Sequence, residues 1–114
     1  MNKTLTILLQ EVMKAYSDCN GYRCEKNLHF RAKDFCSRDE AIEIMGRAIP
    51  DGYNEFDASL LKSLPEDSQV TIAREYSVCI YVRSQEEMSS FDLNKLKAAE
   101  LNQQKTGEVR IWWE

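Results

Sequence analysis

The chain has 114 residues, of which 43% are hydrophobic and 30% are charged, and its formal net charge is −4. This length and composition are those of one globular domain, which can fold without a metal or a disulfide. The acidic balance argues against a basic surface for direct contact with nucleic acid, and no apolar run approaches the ~20 residues of a membrane span. The first residues also lack the pattern of a secretory signal, so we expect a cytoplasmic protein with no membrane partner.

The first element predicted along the chain is an amphipathic helix. Thr4 or Asn2 can cap its start, and Asn20-Gly21 provides a natural end in the left-handed conformation. Its apolar residues recur at helical spacing and form one stripe, composed of Leu5, Leu8, Leu9, Val12, Met13 and Tyr16. Such a stripe predicts a helix that packs on the core.

A strand and two helices are predicted next. Apolar and polar side chains alternate near residues 27–35, which is typical of a half-buried strand. Ser37 then opens a helix with a capping box, because Glu40 stands three residues after it. Asp57 is expected to cap a brief third helix that ends before the turn residues around Pro65.

The stretch from residue 69 to 83 carries the strongest strand signal in the chain. Apolar and mostly β-branched residues fill its even positions, with Arg74 as the polar exception. The run is long for one strand, so it is either a bent strand with a bulge near Arg74 or a tight hairpin that turns at Arg74-Glu75. Because no Asn-Gly or Asp-Gly marks a turn, we favour the bent strand.

The C-terminal part is predicted to contain a helix and a strand. Ser89 and Asp92 open a last helix that runs to about Gln104. Residues 108–114 alternate again and predict a closing strand. We therefore predict one α+β domain over residues 1–114, with about four helices packed on a small mixed or mostly antiparallel sheet, whose strands lie near 27–35, 69–83 and 108–114.

Potential zinc ligands are clustered in the first third of the chain: Cys19, Cys24, His29 and Cys36. Their spacing does not form the paired knuckles of a structural zinc site. His29 and Cys36 also lie at opposite ends of the predicted strand, too far apart for one ion. We therefore expect free cysteines, no metal and no other cofactor, with a zinc-supported domain as an alternative.

A catalytic site would have to use His29, the only histidine, with a cysteine or a carboxylate. His29 falls on the predicted polar face of its strand beside Arg31, which favours an ordinary surface histidine. Adjacent carboxylates such as Glu86 and Glu87 lie at helix starts or turns, where capping explains them. We therefore predict a protein without an active site, and a small enzyme based on His29 is the alternative.

Acidic residues are concentrated in the second part of the chain. Residues 1–47 hold eight basic and seven acidic residues, whereas residues 48–114 hold seven and twelve. Acids can steer a basic partner, and aromatic side chains supply buried contact area at interfaces. The candidate contact residues are Tyr53, Glu55, Phe56, Asp57, Glu66, Asp67 and, near the end of the chain, Trp112.

These observations predict a small acidic protein that binds another protein as a regulator or inhibitor. The expected partner includes basic enzymes or complexes that themselves bind nucleic acid, because their grooves complement an acidic surface. A phage or mobile-element protein that inhibits a host defence nuclease is one form that this function can take.

Overall fold

The structure, a computed structural model, describes residues 2–17, 29–49 and 56–114. The helices in this part of the chain are α1 (Lys3–Ala15), α2 (Arg38–Ala48), α3 (Leu93–Leu96) and two 3₁₀ helices (Ala58–Ser63 and Met88–Ser90). The strands are β1 (His29–Arg31), β2 (Cys36–Ser37), β3 (Gln69–Glu75), β4 (Ser77–Arg83), β5 (Glu100–Gln103) and β6 (Val109–Trp112).

The described strands form one antiparallel sheet in the order β1-β3-β4-β6-β5, and β2 also pairs with β3. The helices share a hydrophobic core with one face of this sheet. The strands contribute to the core mainly through alternate residues, namely Val70, Ile72, Val78, Ile80, Val82, Val109 and Ile111. The predicted α+β class with a mostly antiparallel sheet is confirmed.

Residues 69–83 form a hairpin, so the favoured interpretation as one bent strand is wrong. The hairpin alternative is correct, but its turn lies at Tyr76 and not at Arg74-Glu75. β3 and β4 pair from Gln69 opposite Arg83 to Glu75 opposite Ser77. Tyr76 alone connects them, with a φ of 64°, which places it in the left-handed region. Non-glycine residues rarely adopt this conformation, so tight turns usually carry a glycine or asparagine there. Because Tyr76 occupies the position instead, the sequence does not show the usual signal of a tight turn.

The predicted last helix is confirmed at its start and wrong in its length. The Asp92 side chain accepts a hydrogen bond from the Lys95 N–H at 3.0 Å, as a helix cap does. The helix then ends after one turn, and Glu100–Gln103 pairs with β6 as a strand. The partly buried Leu101 packs against the core from this edge strand, so sheet pairing prevails over local helical propensity.

Of the strand predicted near residues 27–35, the structure forms only β1 at His29–Arg31, and its first residues lie outside the described part. The short strand β2 at Cys36–Ser37 follows just beyond the predicted range. His29 of β1 lies opposite Glu75, and Cys36 of β2 lies opposite Val70. Between the two strands, Ala32 is buried and donates its N–H to the carbonyl oxygen of Ile72 at 2.9 Å. The alternation that suggested a strand is therefore present over residues 29–33, whereas residues 33–35 are all exposed and the regular pairing is interrupted.

Helix α1 begins where the sequence predicts. The Asn2 side chain accepts a hydrogen bond from the Leu5 N–H at 2.9 Å. Of the predicted stripe, Val12 is completely buried, but Met13 is 48% exposed and does not belong to the core. The predicted end at Asn20-Gly21 lies outside the described residues. Among the described helices, none has the length and apolar content needed to cross a membrane.

Two further predicted caps are confirmed by their hydrogen bonds. At the start of α2, the Ser37 N–H donates to Glu40 Oε1 at 2.8 Å and the Glu40 N–H donates to Ser37 Oγ at 3.2 Å. Before the first 3₁₀ helix, Asp57 Oδ1 accepts from both the N–H and the hydroxyl of Ser59. These hydrogen bonds lower the pKa of Asp57, the backbone one most, because they favour the carboxylate.

Arg74 explains the polar interruption of the β3 pattern. Its side chain is completely buried and donates to the Ala15 carbonyl oxygen at 2.8 Å, at the C-terminal end of α1. Its guanidinium lies 5.3 Å from the centroid of the Tyr16 ring, and the Tyr16 hydroxyl donates to the Ala73 carbonyl oxygen at 2.6 Å. A buried cation at the negative end of a helix is electrostatically favourable. Arg74 and Tyr16 thus connect α1 to the sheet by hydrogen bonds in both directions.

Candidate functional site

The aromatic candidates of the acidic segment do not form an exposed patch in the described structure. Tyr53 and Glu55 lie outside the described residues. Phe56 is only 7% exposed, and its ring contacts the ring of Trp113 edge to face, with 4.9 Å between the centroids. The structure therefore places Phe56 in the core and not among the residues available for contact.

Asp67 joins two segments that are far apart in the sequence. Its Oδ1 accepts from the Ser84 hydroxyl at 2.7 Å, and its Oδ2 accepts from the Gln85 N–H at 2.8 Å. The Gln85 and Ser84 hydrogen bonds lower the pKa of the Asp67 carboxyl, because they stabilise its charged form. The turn at residues 65–68 and the segment 84–87 after β4 are thereby held side by side.

This connection brings acidic residues together on one surface. A depression of about 420 Å³, which we call the acidic cleft, is lined by Glu66, Asp67, Gln85 and Glu86. Within the described residues, none of these three carboxylates takes part in an ion pair. The sequence indicated Glu66 and Asp67 as contact residues but not Glu86, because only the tertiary fold brings the second segment next to the first.

One face of the sheet packs on the hydrophobic core, and we call the other face the polar face. The polar face also carries many charged side chains, but these bind one another. Arg110 on β6 donates through Nε to Glu75, and through its NH1 group to Glu100 at 3.0 Å and to Asn102 at 3.1 Å. Burial alone would raise the pKa of Glu75, but hydrogen bonds from Arg110 and Cys79 outweigh it and hold the pKa below its ordinary value. Arg110 is the centre of this cluster.

Trp112, the remaining aromatic candidate, lies on the polar face beside that cluster. Its indole N–H donates to the Glu75 carbonyl oxygen at 2.8 Å, and its ring is half-buried. Opposite Trp112 in the sheet lies Cys79, which is completely buried and donates to Glu75 Oε2 at 3.2 Å. Trp112 therefore has a structural role next to the β3–β4 turn, and its role in an interface stays a prediction.

A second cluster on the polar face surrounds Glu108. This carboxylate is 2% exposed and accepts from the Arg31 guanidinium at 2.7 and 2.9 Å and from the Thr106 hydroxyl at 2.9 Å. The Arg31 guanidinium also stacks over the Tyr81 ring, 4.2 Å from its centroid. Burial would raise the pKa of Glu108, but the Arg31 and Thr106 hydrogen bonds and nearby positive charges lower it. The charges of this cluster are therefore also paired within the fold.

The residues considered for a metal or a nucleophile do not converge in the described part of the chain. Cys19 and Cys24 lie outside it. The His29 ring contacts the Tyr76 ring edge to face at 4.9 Å, whereas Cys36 is buried on the core side, and burial, followed by the charge of Glu40, raises its pKa to about 12. Among the described residues, no group of three or more His, Cys, Asp or Glu side chains could hold a metal ion.

Thiol chemistry is disfavoured at both described cysteines. Burial is the main cause of the raised pKa of Cys36 and also of Cys79, where the Glu75 carboxylate adds to the effect. A nucleophilic cysteine needs the reverse, because the thiolate is the reactive form. The acidic cleft is a described surface where carboxylates from two segments lie together without an ion pair. No family model, curated protein or solved structure matches the chain.

Proposed function

We propose that this protein acts in the cytoplasm by binding another protein as a regulator or inhibitor, and that it performs no catalysis. The observation that carries this proposal is the acidic cleft, where Asp67 holds carboxylates from two segments on one surface. Carboxylates brought together without cations repel one another, which disfavours the folded state. A basic partner would neutralise these carboxylates, and the loss of their mutual repulsion would make binding more favourable.

The cleft is suited to attract a partner and to hold a fixed shape. Glu66 and Glu86 are exposed, so their charges act through solvent over about one Debye length, ~8 Å at physiological ionic strength. Such charges mainly increase the rate of association. The hydrogen bonds of Asp67 fix the two segments before binding, which reduces the conformational entropy lost in the complex.

A basic protein that binds nucleic acid is the partner whose chemistry complements this surface. Such proteins carry grooves lined by lysine and arginine that neutralise phosphates. An acidic protein that occupies the groove excludes the nucleic acid and thereby inhibits the protein to which the groove belongs. A defence nuclease blocked by a phage or mobile-element protein would be one example of this relationship.

The test is affinity capture from the source cells with the wild-type protein and with a Glu66→Lys/Glu86→Lys variant. The matched control is Glu11→Lys/Glu114→Lys, which changes the net charge equally on other parts of the chain. We expect the wild type and the control to capture the same basic protein, and the cleft variant to capture at least about tenfold less. Circular dichroism should show that all three proteins are folded.

Two further results decide the proposal. The captured complex should weaken as salt is raised, because screened charges steer less effectively. Nucleic acid added to the partner should also compete with the wild-type protein. Capture of the same partner by the cleft variant as efficiently as by the wild type would refute the acidic cleft as the binding surface.

A further inference from the structure

A larger cavity adjoins the acidic cleft and shares Gln85 and Glu86 with it. Its volume is about 540 Å³, within the ~300–1,000 Å³ typical of sites for small ligands. It lies where the end of β4, the segment 84–89 and the turn between β5 and β6 meet. We call it the loop cavity; it is lined by residues 84–89 together with Val82, Gln103, Gly107 and Val109.

The inner wall of the loop cavity is apolar. Val82 of β4 and Val109 of β6 lie opposite each other in the sheet, and both belong to the hydrophobic core. Met88 is partly buried and packs against the same core. Because Val82 and Val109 are buried, Met88 supplies the accessible apolar surface of this wall. Aliphatic parts of a ligand would lose contact with water against it, which is favourable in proportion to the area that they bury.

The polar side chains Glu86, Glu87 and Gln103 offer hydrogen-bond acceptors to the cavity. Glu86 and Glu87 are exposed carboxylates, and only Oε2 of Glu86 accepts a hydrogen bond within the described structure, from the Ser90 hydroxyl at 3.1 Å. The Gln103 side-chain amide donates to the carbonyl oxygens of Gly107 and Glu108, at 3.0 and 3.3 Å. The side-chain oxygen of Gln103 is thus the atom of this amide that remains available to a ligand.

We propose that the loop cavity receives an arginine side chain of the protein partner, an inference that rests on the proposed function. Arginine combines an aliphatic stem with a planar cationic head that has five donors and no acceptor. The stem would lie against the partly buried Met88, and the guanidinium would reach Glu86 and Glu87. Lysine has a compact charge with three donors and matches two carboxylates and an amide oxygen less well.

The first test uses short blocked peptides and does not depend on knowing the partner. Acetyl-Gly-Arg-Gly-amide is titrated into the protein, and NMR follows the methyl groups of Val82 and Val109 and the side-chain amide of Gln103. The matched ligand is the citrulline peptide, which keeps the shape of arginine but has no charge. We expect saturable shifts at these groups with arginine, and binding of citrulline at least about fivefold weaker.

The second test uses matched variants of the protein. Glu86→Gln/Glu87→Gln should reduce affinity for the arginine peptide to about that for the citrulline peptide. Glu66→Gln, which removes a carboxylate of the acidic cleft outside the loop cavity, should leave that affinity within about twofold. The NMR spectra also report whether each variant is folded.

Three results would overturn the inference: equal affinity for the arginine and citrulline peptides, equal affinity for a lysine peptide, or arginine-dependent shifts confined to residues outside the loop cavity. Its failure is distinguishable from failure of the proposed function. If the peptide test fails but Glu66→Lys/Glu86→Lys still abolishes capture of the basic partner, the acidic cleft stands and only the arginine site is rejected.

Discussion

On the polar face of the sheet, Arg110 binds Glu75, Glu100 and Asn102, whereas Glu66 and Glu86 in the acidic cleft bind no basic side chain among the described residues. Both regions carry charges, but only those of the polar face neutralise one another. Charges paired within the fold stabilise it, while unpaired charges remain able to bind a partner. The number of charged residues therefore says less about function than the way in which they are paired.

The same contrast applies to aromatic residues. Trp112 donates its indole N–H to the Glu75 carbonyl oxygen, and Phe56 packs on Trp113 in the core. Tyr76 at the tip of the β3–β4 hairpin also contacts a ring, that of His29, but it remains 60% exposed. Aromatic side chains near charges resemble interface anchors in a sequence. In this fold, the two described aromatic candidates, Phe56 and Trp112, instead contact other groups of the same protein.

The largest expected difference between the two regions is in stability. Arg110→Met should lower the free energy of unfolding by about 1–3 kcal/mol, because Glu75 loses its cationic partner while partly buried. Glu86→Gln in the acidic cleft should change it by less than about 0.5 kcal/mol. Urea denaturation of both variants measures this, and equal losses would contradict the distinction between paired and available charges.

A second prediction concerns the pH dependence of stability. The pKa values of Glu75 and Glu108 are lowered in the folded protein, so the folded state binds fewer protons than the unfolded state. Their contribution is present above the ordinary glutamate pKa of about 4.3 and is lost as the pH falls through the lower folded values. We expect stability to decline below about pH 4, and Arg110→Met to reduce the steepness of that decline.

Urea denaturation between pH 7 and pH 3 provides the measurement. The difference in stability between the wild type and Arg110→Met should shrink at the acid end, because protonation of Glu75 removes from the wild type the interaction that the variant already lacks. Glu86→Gln serves as the control and should follow the wild-type curve. An Arg110→Met curve parallel to the wild-type curve would mean that Glu75 does not contribute to acid sensitivity.

The smallest expected effect concerns the link between the two segments of the acidic cleft. Asp67→Asn removes the charge that the Ser84 hydroxyl and the Gln85 N–H stabilise. Because Asp67 is exposed, global stability should change little, but hydrogen exchange of the Gln85 amide should become faster. Glu66→Gln is the control and should leave this exchange rate unchanged. Unchanged exchange in Asp67→Asn would show that other contacts hold the segments together.

Features that depend on neighbouring residues are predictable from the amino-acid sequence alone. Asn2, Ser37 and Asp92 cap helices as predicted, because a cap bonds to backbone groups two or three residues away. The closing strand was equally visible, since its alternation matches a sheet with one face on the core. Glu66 and Asp67 were recognised as acidic surface residues on charge alone.

Features that depend on pairing between distant residues become visible only in the folded protein. Tyr76 forms a turn because β3 and β4 pair along their full lengths, and residues 100–103 form a strand because β6 offers an open edge. In the same way, Glu86 lies near Glu66 because β3 and β4 pair as far as Gln69 and Arg83, and because Asp67 accepts hydrogen bonds from Ser84 and Gln85. Local patterns carry no information about such contacts, because the free energy that selects them comes from burial and hydrogen bonding between segments far apart in the chain.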